Sequence, residues 1–199
     1  MSPSRLRGAL LGGTALLAGL VFLAWSQPWF TLTLVASSGD PAPLEVRGDV
    51  AASALAPLAL TVLAIVAALA LAGPVLRTVF GVLEALVGAS VVAVTIVSLG
   101  DPVQASASAV TDVTGVAGSD SVAGLVSGVA VSVWPGTAIV FGILIAITGA
   151  FVAVTARRWP VSGRKYSRTR IEPAESAASD PVAEWDALSE GDDPTAPSR

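Results

Sequence analysis

The chain has 199 residues, of which 53% are apolar and only 13% charged. A soluble domain carries about 25% charged residues, so there is too little polar surface here to cover a water-soluble globule. Cys and His are both absent, which excludes disulfides, thiolate nucleophiles and the commonest transition-metal ligand.

The apolar residues fall into four blocks. Crossing a hydrocarbon core of about 30 Å takes roughly 20 apolar residues, each rising about 1.5 Å along a helix. Residues 8–25 are apolar or small apart from Thr14. Arg5, Arg7 and the sequence Ala24-Trp25-Ser26 also fit a cleaved signal peptide. The bulky run reaching Trp25 and the three blocks that follow favour an uncleaved first helix. Residues 26–50 carry two alternating or β-branched runs, Phe30 to Val35 and Leu44 to Gly48, around the turn signal Ser37-Ser38-Gly39-Asp40-Pro41. That pattern predicts a β-hairpin.

Residues 51–72 and 78–99 form the second and third blocks. Glu84 is the one ionisable residue in any block. It lies two helical turns from Arg77, on the same face. A carboxylate inside a membrane is costly and is by default a functional candidate, for proton relay or cation contact. Its position about 10 Å from the helix end lets water, Arg77 or another helix satisfy it, so a purely structural role stays open. Residues 100–134 are rich in Ser, Ala, Val, Gly and Asp. The stretch Val129 to Val133 alternates and offers the hairpin a third strand, since an isolated hairpin is marginal in water. Two flexible loops are the alternative for these outer segments. Residues 135–156 are the fourth block.

Trp29, Trp134 and Trp159 flank the blocks, where indole prefers the water–lipid boundary, and are expected as interface anchors with Tyr166. Arg157 and Arg158 begin a basic run that attracts anionic lipid, as a stop-transfer signal does. Beyond an Ala/Ser/Glu/Pro linker expected to be disordered, residues 181–190 read as a short helix. Asp180 suits its N-cap, Pro181 its first position and Gly191 the residue past its end. Val182, Trp185 and Leu188 share a face there. A helix too short to stand alone with one Trp suggests an element that folds on a partner; a solvated tail is the bland reading. Charge supports the tail boundary: six of eleven basic residues lie between Arg157 and Arg170, and eight of fifteen acidic ones between Glu172 and Asp193.

Lipid offers no hydrogen-bond partners, so each block must close its own backbone as a helix. The expected fold is an all-α membrane protein: a four-helix transmembrane bundle over residues 1–156, a small extracytoplasmic hairpin or three-stranded sheet, and a largely disordered cytoplasmic tail over 157–199. Orientation follows the basic residues, which concentrate in cytoplasmic loops. With both termini inside the plasma membrane, only Arg47 lies outside. The small-x3-small ladders Gly8-x3-Gly12, Gly81-x3-Ala85-x3-Ala89 and Gly142-x3-Ala146-x3-Ala150 support a tight bundle. They are compatible with a homo-oligomer and identify no interface. Phosphate-loop, zinc-protease and nucleophile-elbow motifs are missing. No cofactor or metal ligand set is expected, and the membrane-adjacent basic run alone does not make a nucleic-acid-binding fold.

Ser26-Gln27-Pro28-Trp29 after the first block, Arg157-Arg158-Trp159-Pro160 with Gly163 and Tyr166 after the fourth, and Trp185-Asp186-Ala187-Leu188 with Gly191-Asp192-Asp193-Pro194-Thr195 near the end form a pattern. In this order and spacing it resembles the tryptophan-associated transmembrane proteins of high-GC Gram-positive bacteria. The likeness covers almost the whole chain, although residues 100–134 match only in character. It implies association with tryptophan biosynthesis and no catalytic residue. The resulting expectation is a non-enzymatic scaffold or accessory factor in contact with lipid and, through its tail, with a cytosolic protein. A small transporter or transporter subunit for an aromatic metabolite, with Glu84 as the coupling group, is the second reading.

Overall fold

The computed structural model describes residues 3–35 and 42–156. The hairpin turn expected at Ser37 to Pro41 and the whole tail from residue 157, with its expected short helix at 181–190, lie outside the described residues. Helix α1 spans Pro3–Ser26, and strand β1 follows at Pro28–Leu34. Strand β2, Ala42–Arg47, leads through a single turn, α2 (Gly48–Ala51), into helix α3, Leu55–Leu71. Helix α4 runs Pro74–Gly100. Three short helices follow: α5 (Pro102–Ala105), α6 (Ala107–Thr114) and α7 (Ser119–Leu125). Strand β3, Val126–Val131, enters helix α8, Trp134–Thr155.

The residues from Gly8 in α1, together with α4 and α8, make three helices long and apolar enough to cross a membrane by length and composition. Helix α3 has 17 residues, or about 25 Å of rise, at the lower end of the spanning range. It starts later than the expected residue 51 because Gly48–Ala51 closes a separate turn. The Ser98 hydroxyl of α4 donates to the Ala51 carbonyl and ties that turn to the bundle. Helix α4 in turn starts earlier than the expected residue 78. Pro74 occupies its first turn after the extended Gly73, a position where a missing N–H costs nothing and φ is already set. Arg77 is therefore inside the helix.

Helix α1 packs on α3 and α8, and α4 packs on α3 and most extensively on α8. The four helices form a ring in which α1 and α4 stand diagonally opposed. On α4 the buried positions from Arg77 through Gly81, Glu84, Gly88 and Val91 to Thr95 and Ser98 alternate in steps of four and three. Those on α8 from Ala138 through Gly142, Ile145 and Gly149 to Val152 do the same. A seven-residue repeat keeps one seam facing its neighbour, as in antiparallel coiled coils. At Gly81, Gly88 and Gly149 no side chain of their own separates the two helices. A Cβ on Gly88 would sit 2.5 Å from the Ala146 nitrogen and 2.8 Å from the Gly142 oxygen. One on Gly149 would press on the Ala85 nitrogen and lie 2.7 Å from the Gly81 oxygen. The helices thus touch backbone to backbone. The Gly81-Ala85 and Gly142-Ala146 steps of the expected ladders take part; Gly8 and Gly12 face open space.

The sheet has the order β2-β1-β3, antiparallel throughout. It realises the expected hairpin, with β3 joining the other side of β1. The register of β1 against β2 shifts between Pro28 and Phe30, and the bulge there turns two consecutive side chains, Trp29 and Phe30, into the interior. Phe30, Leu32 and Val46 join the same apolar core as Ala24, Leu55 and Ala138 of the helices. All three strands connect to helices at one end of the bundle, where the buried side chains of the sheet share a core with those of the helices. Residues 102–125, expected as loop, form helices instead. Asp101 accepts from the Gln104 backbone N–H at 2.9 Å, with Pro102 in the first turn, and Gly115 ends α6 at φ 72°, a conformation that suits glycine. Val110 and Val122 anchor this cap in the core.

Candidate functional site: a polar line inside the bundle

Two ionisable side chains sit on the inward stripe of α4. Arg77 is 3% exposed and Glu84 1% exposed. They are seven residues apart, two turns or about 10.5 Å of rise, on the shared face that their spacing implies. Glu84 lies beside Thr14 of α1, whose hydroxyl donates to the Leu10 carbonyl one turn back at 3.0 Å. Because α1 and α4 are diagonal in the ring, the glutamate reaches across the bundle interior. Its Oε1 has no hydrogen-bond partner among the described residues, which is costly for a buried carboxyl group.

The glycine seam explains this direction. A Cβ on Gly149 would lie 2.9 Å from the backbone carbonyl carbon of Glu84 itself, so α8 clamps the main chain of that residue and leaves its side chain the way toward α1. Further along α4 the polar stripe continues with Thr95, which donates to the Val91 carbonyl at 2.8 Å, and Ser98. The stripe is therefore a line of groups on one helix. Chemically it supplies one carboxyl group, one guanidinium and two hydroxyls in a water-poor interior, a set suited to holding a proton or cation, or to fixing helix register.

The aromatic anchors divide. Trp134 is half-buried at the start of α8. Trp29, expected at the lipid–water boundary, is instead fully enclosed. Its Nε1 donates to the Ala24 carbonyl at 2.8 Å, and the indole lies over Gly48, where a Cβ would come 2.6 Å from Nε1. The bulge at Pro28 turns it inward, and capturing an α1 carbonyl removes the polar reason for an indole to seek the boundary. Trp159, Tyr166, Arg157, Arg158 and the tail trio Val182, Trp185 and Leu188 lie outside the described residues. The sign of Thr14 as a neighbour of Glu84 is only that it stands out in the sequence as the polar break in the first block. The seven-residue spacing of Gly81 and Gly88, and of Gly142 and Gly149, was the legible sign of the seam. Among the described residues no group of three or more Asp or Glu side chains is placed to hold a metal ion.

A family model described as tryptophan-associated transmembrane protein matches residues 11–195, a span that includes the bundle, the sheet and most of the tail. No curated protein and no solved structure matches the chain.

Proposed function

The chain belongs to the tryptophan-associated transmembrane protein family, and we propose that it serves tryptophan biosynthesis as a non-enzymatic accessory factor, a membrane-held platform whose tail engages a cytosolic protein. The observation that carries this reading is the α4–α8 seam. Backbone contact at Gly88 and Gly149 holds α4 and α8 tightly together, which suits an anchor. In this reading the protein sits in the plasma membrane with both termini cytoplasmic, because ten of the eleven basic residues then lie inside. The basic run from Arg157 contacts anionic lipid, and Trp185 with Val182 and Leu188 docks on the partner. Burying such an apolar face contributes roughly 2–3 kcal/mol, partly offset by ordering a short segment, so the complex is moderate and reversible.

The second reading, transport of an aromatic metabolite or of protons coupled to it, is favoured by Glu84, a carboxyl group enclosed in the bundle with an unpartnered oxygen. The two separate in one experiment. Cells lacking their own copy are complemented with the chain truncated after residue 156 or with Glu84→Gln, and tryptophan synthesis is measured. Loss with the truncation and retention with Glu84→Gln supports the platform; the opposite pattern overturns it. Capture from solubilised membranes then tests the docking residues. Trp185→Ala is expected to abolish partner recovery, whereas Asp192→Asn with Asp193→Asn reduces it little at raised salt, because screening already removes charge contributions there.

A further inference from the structure

The two edges of the sheet are built differently. The β2 edge carries Pro43, Glu45 and Arg47, the residue types that block strand addition. The β3 edge, Val126–Val131, has no charge and no proline. Val129 is 39% and Val131 52% exposed, and Ala130 between them is exposed too. Among the described residues no second strand pairs with β3. The ladder decides which backbone groups are unused. Phe30 pairs with Val131, and the Ser132 N–H donates to the Trp29 carbonyl at 2.9 Å, which makes Phe30–Val131 a non-hydrogen-bonded pair. The N–H and C=O groups of Val129 and Val131 therefore point away from β1, along the open edge.

From this edge we propose that β3 pairs with β3 of a second copy, antiparallel about a two-fold axis at Ala130, joining two sheets into one of six strands. The occupant follows from the membrane. Copies inserted with one orientation present the same edge at the same depth, and their common symmetry axis must run along the bilayer normal. An antiparallel strand pair has its two-fold axis perpendicular to the sheet, so this pairing requires the sheet to lie roughly parallel to the membrane plane. The edge is also self-complementary. About Ala130, Val129 of one copy faces Val131 of the other, their four outward N–H and C=O pairs close as hydrogen bonds, and no charge meets its like. This is an isologous contact of the commonest kind, made by strand addition. Its small size suits a reversible dimer favoured by confinement in the bilayer. It is independent of the function proposed above.

The absence of Cys from the chain allows a clean test. At the two-fold, Ala130 forms a non-hydrogen-bonded pair with itself, for which the Cα separation is about 4.5 Å, inside the disulfide range. Ala130→Cys in the full-length protein in membranes is expected to give disulfide-linked dimer under mild oxidation. The control is Glu45→Cys, which lies in the same cross-strand row, Glu45–Thr31–Ala130, but on the opposite edge; it is expected to give several-fold less. Val131→Pro removes one outward N–H without touching the ladder to β1, and in the Ala130→Cys background it is expected to reduce the dimer to the control level. Val129→Lys is expected to do the same by placing like charges at the junction, so the proposal does not depend on one variant accumulating. Equal cross-linking at Ala130→Cys and Glu45→Cys, or dimer unaffected by both Val131→Pro and Val129→Lys, overturns the pairing. So does an Ala130→Cys adduct to a protein of another mass, which would assign the edge to a different occupant.

Discussion

Replacing Gly88 by Ala adds one methyl group to the chain and should be far more damaging than that suggests. The new Cβ would sit 2.5 Å from the Ala146 nitrogen, 2.8 Å from the Gly142 oxygen and 2.9 Å from the Ala146 Cα. Carbon atoms pack at about 3.5–4.0 Å, so α8 would have to retreat by about 1 Å at this point. All three obstructing atoms are backbone, and no rotamer change relieves them. A gap of that size forfeits a quarter to a half of each contact's attraction along the seam, and overpacking of this kind costs about 1–3 kcal/mol. Against this, Ala is the better helix former by about 1 kcal/mol. Gly12→Ala isolates the two effects, because nothing lies within 4 Å of a Cβ there and the same propensity gain applies. The difference between the two variants is then the seam term alone, about 2 kcal/mol, or up to a 30-fold change in the folded fraction. Reversible unfolding in mixed micelles, followed by circular dichroism on both variants and the parent, measures it. Gly88→Ala matching Gly12→Ala in stability would refute backbone-to-backbone contact between α4 and α8.

Three further outcomes can be checked directly. Trp29→Phe removes the bond to the Ala24 carbonyl and part of the buried volume and is expected to lower stability by about 1–3 kcal/mol, with Trp29→Ala costing about 3–5; a purely interfacial indole would tolerate Phe in the same unfolding assay. Glu84→Gln is expected to insert and accumulate as the parent does, since an amide costs less than a carboxylate in an apolar interior, and accumulation falling sharply in membrane fractions would show that the carboxylate itself holds the bundle. Reporter fusions after Gly100 are expected to read extracytoplasmic and those at Arg77 cytoplasmic, from the segregation of basic residues; an inverted pair would reverse the orientation.

The helical blocks were legible because membrane insertion is a matter of composition along the chain: each block must be apolar and must satisfy its backbone locally, so no distant residue needs to be known. The sheet was nearly as legible, since alternation and turn chemistry are local, and so was the shared face of Arg77 and Glu84, which follows from a seven-residue interval. What the sequence did not determine depends on pairing between distant segments. The inward turn of Trp29 arises from a bulge that exists only once β1 is registered against β2. Ser98 of α4 meets the Ala51 carbonyl across 47 positions, at the end of the turn that precedes α3. Glu84 was legible as an intramembrane carboxyl group, but its surroundings were not. Thr14 of α1 lies beside it and α8 comes onto its main chain at Gly149, and such close approach is a property of the packed helices, not of any one helix alone.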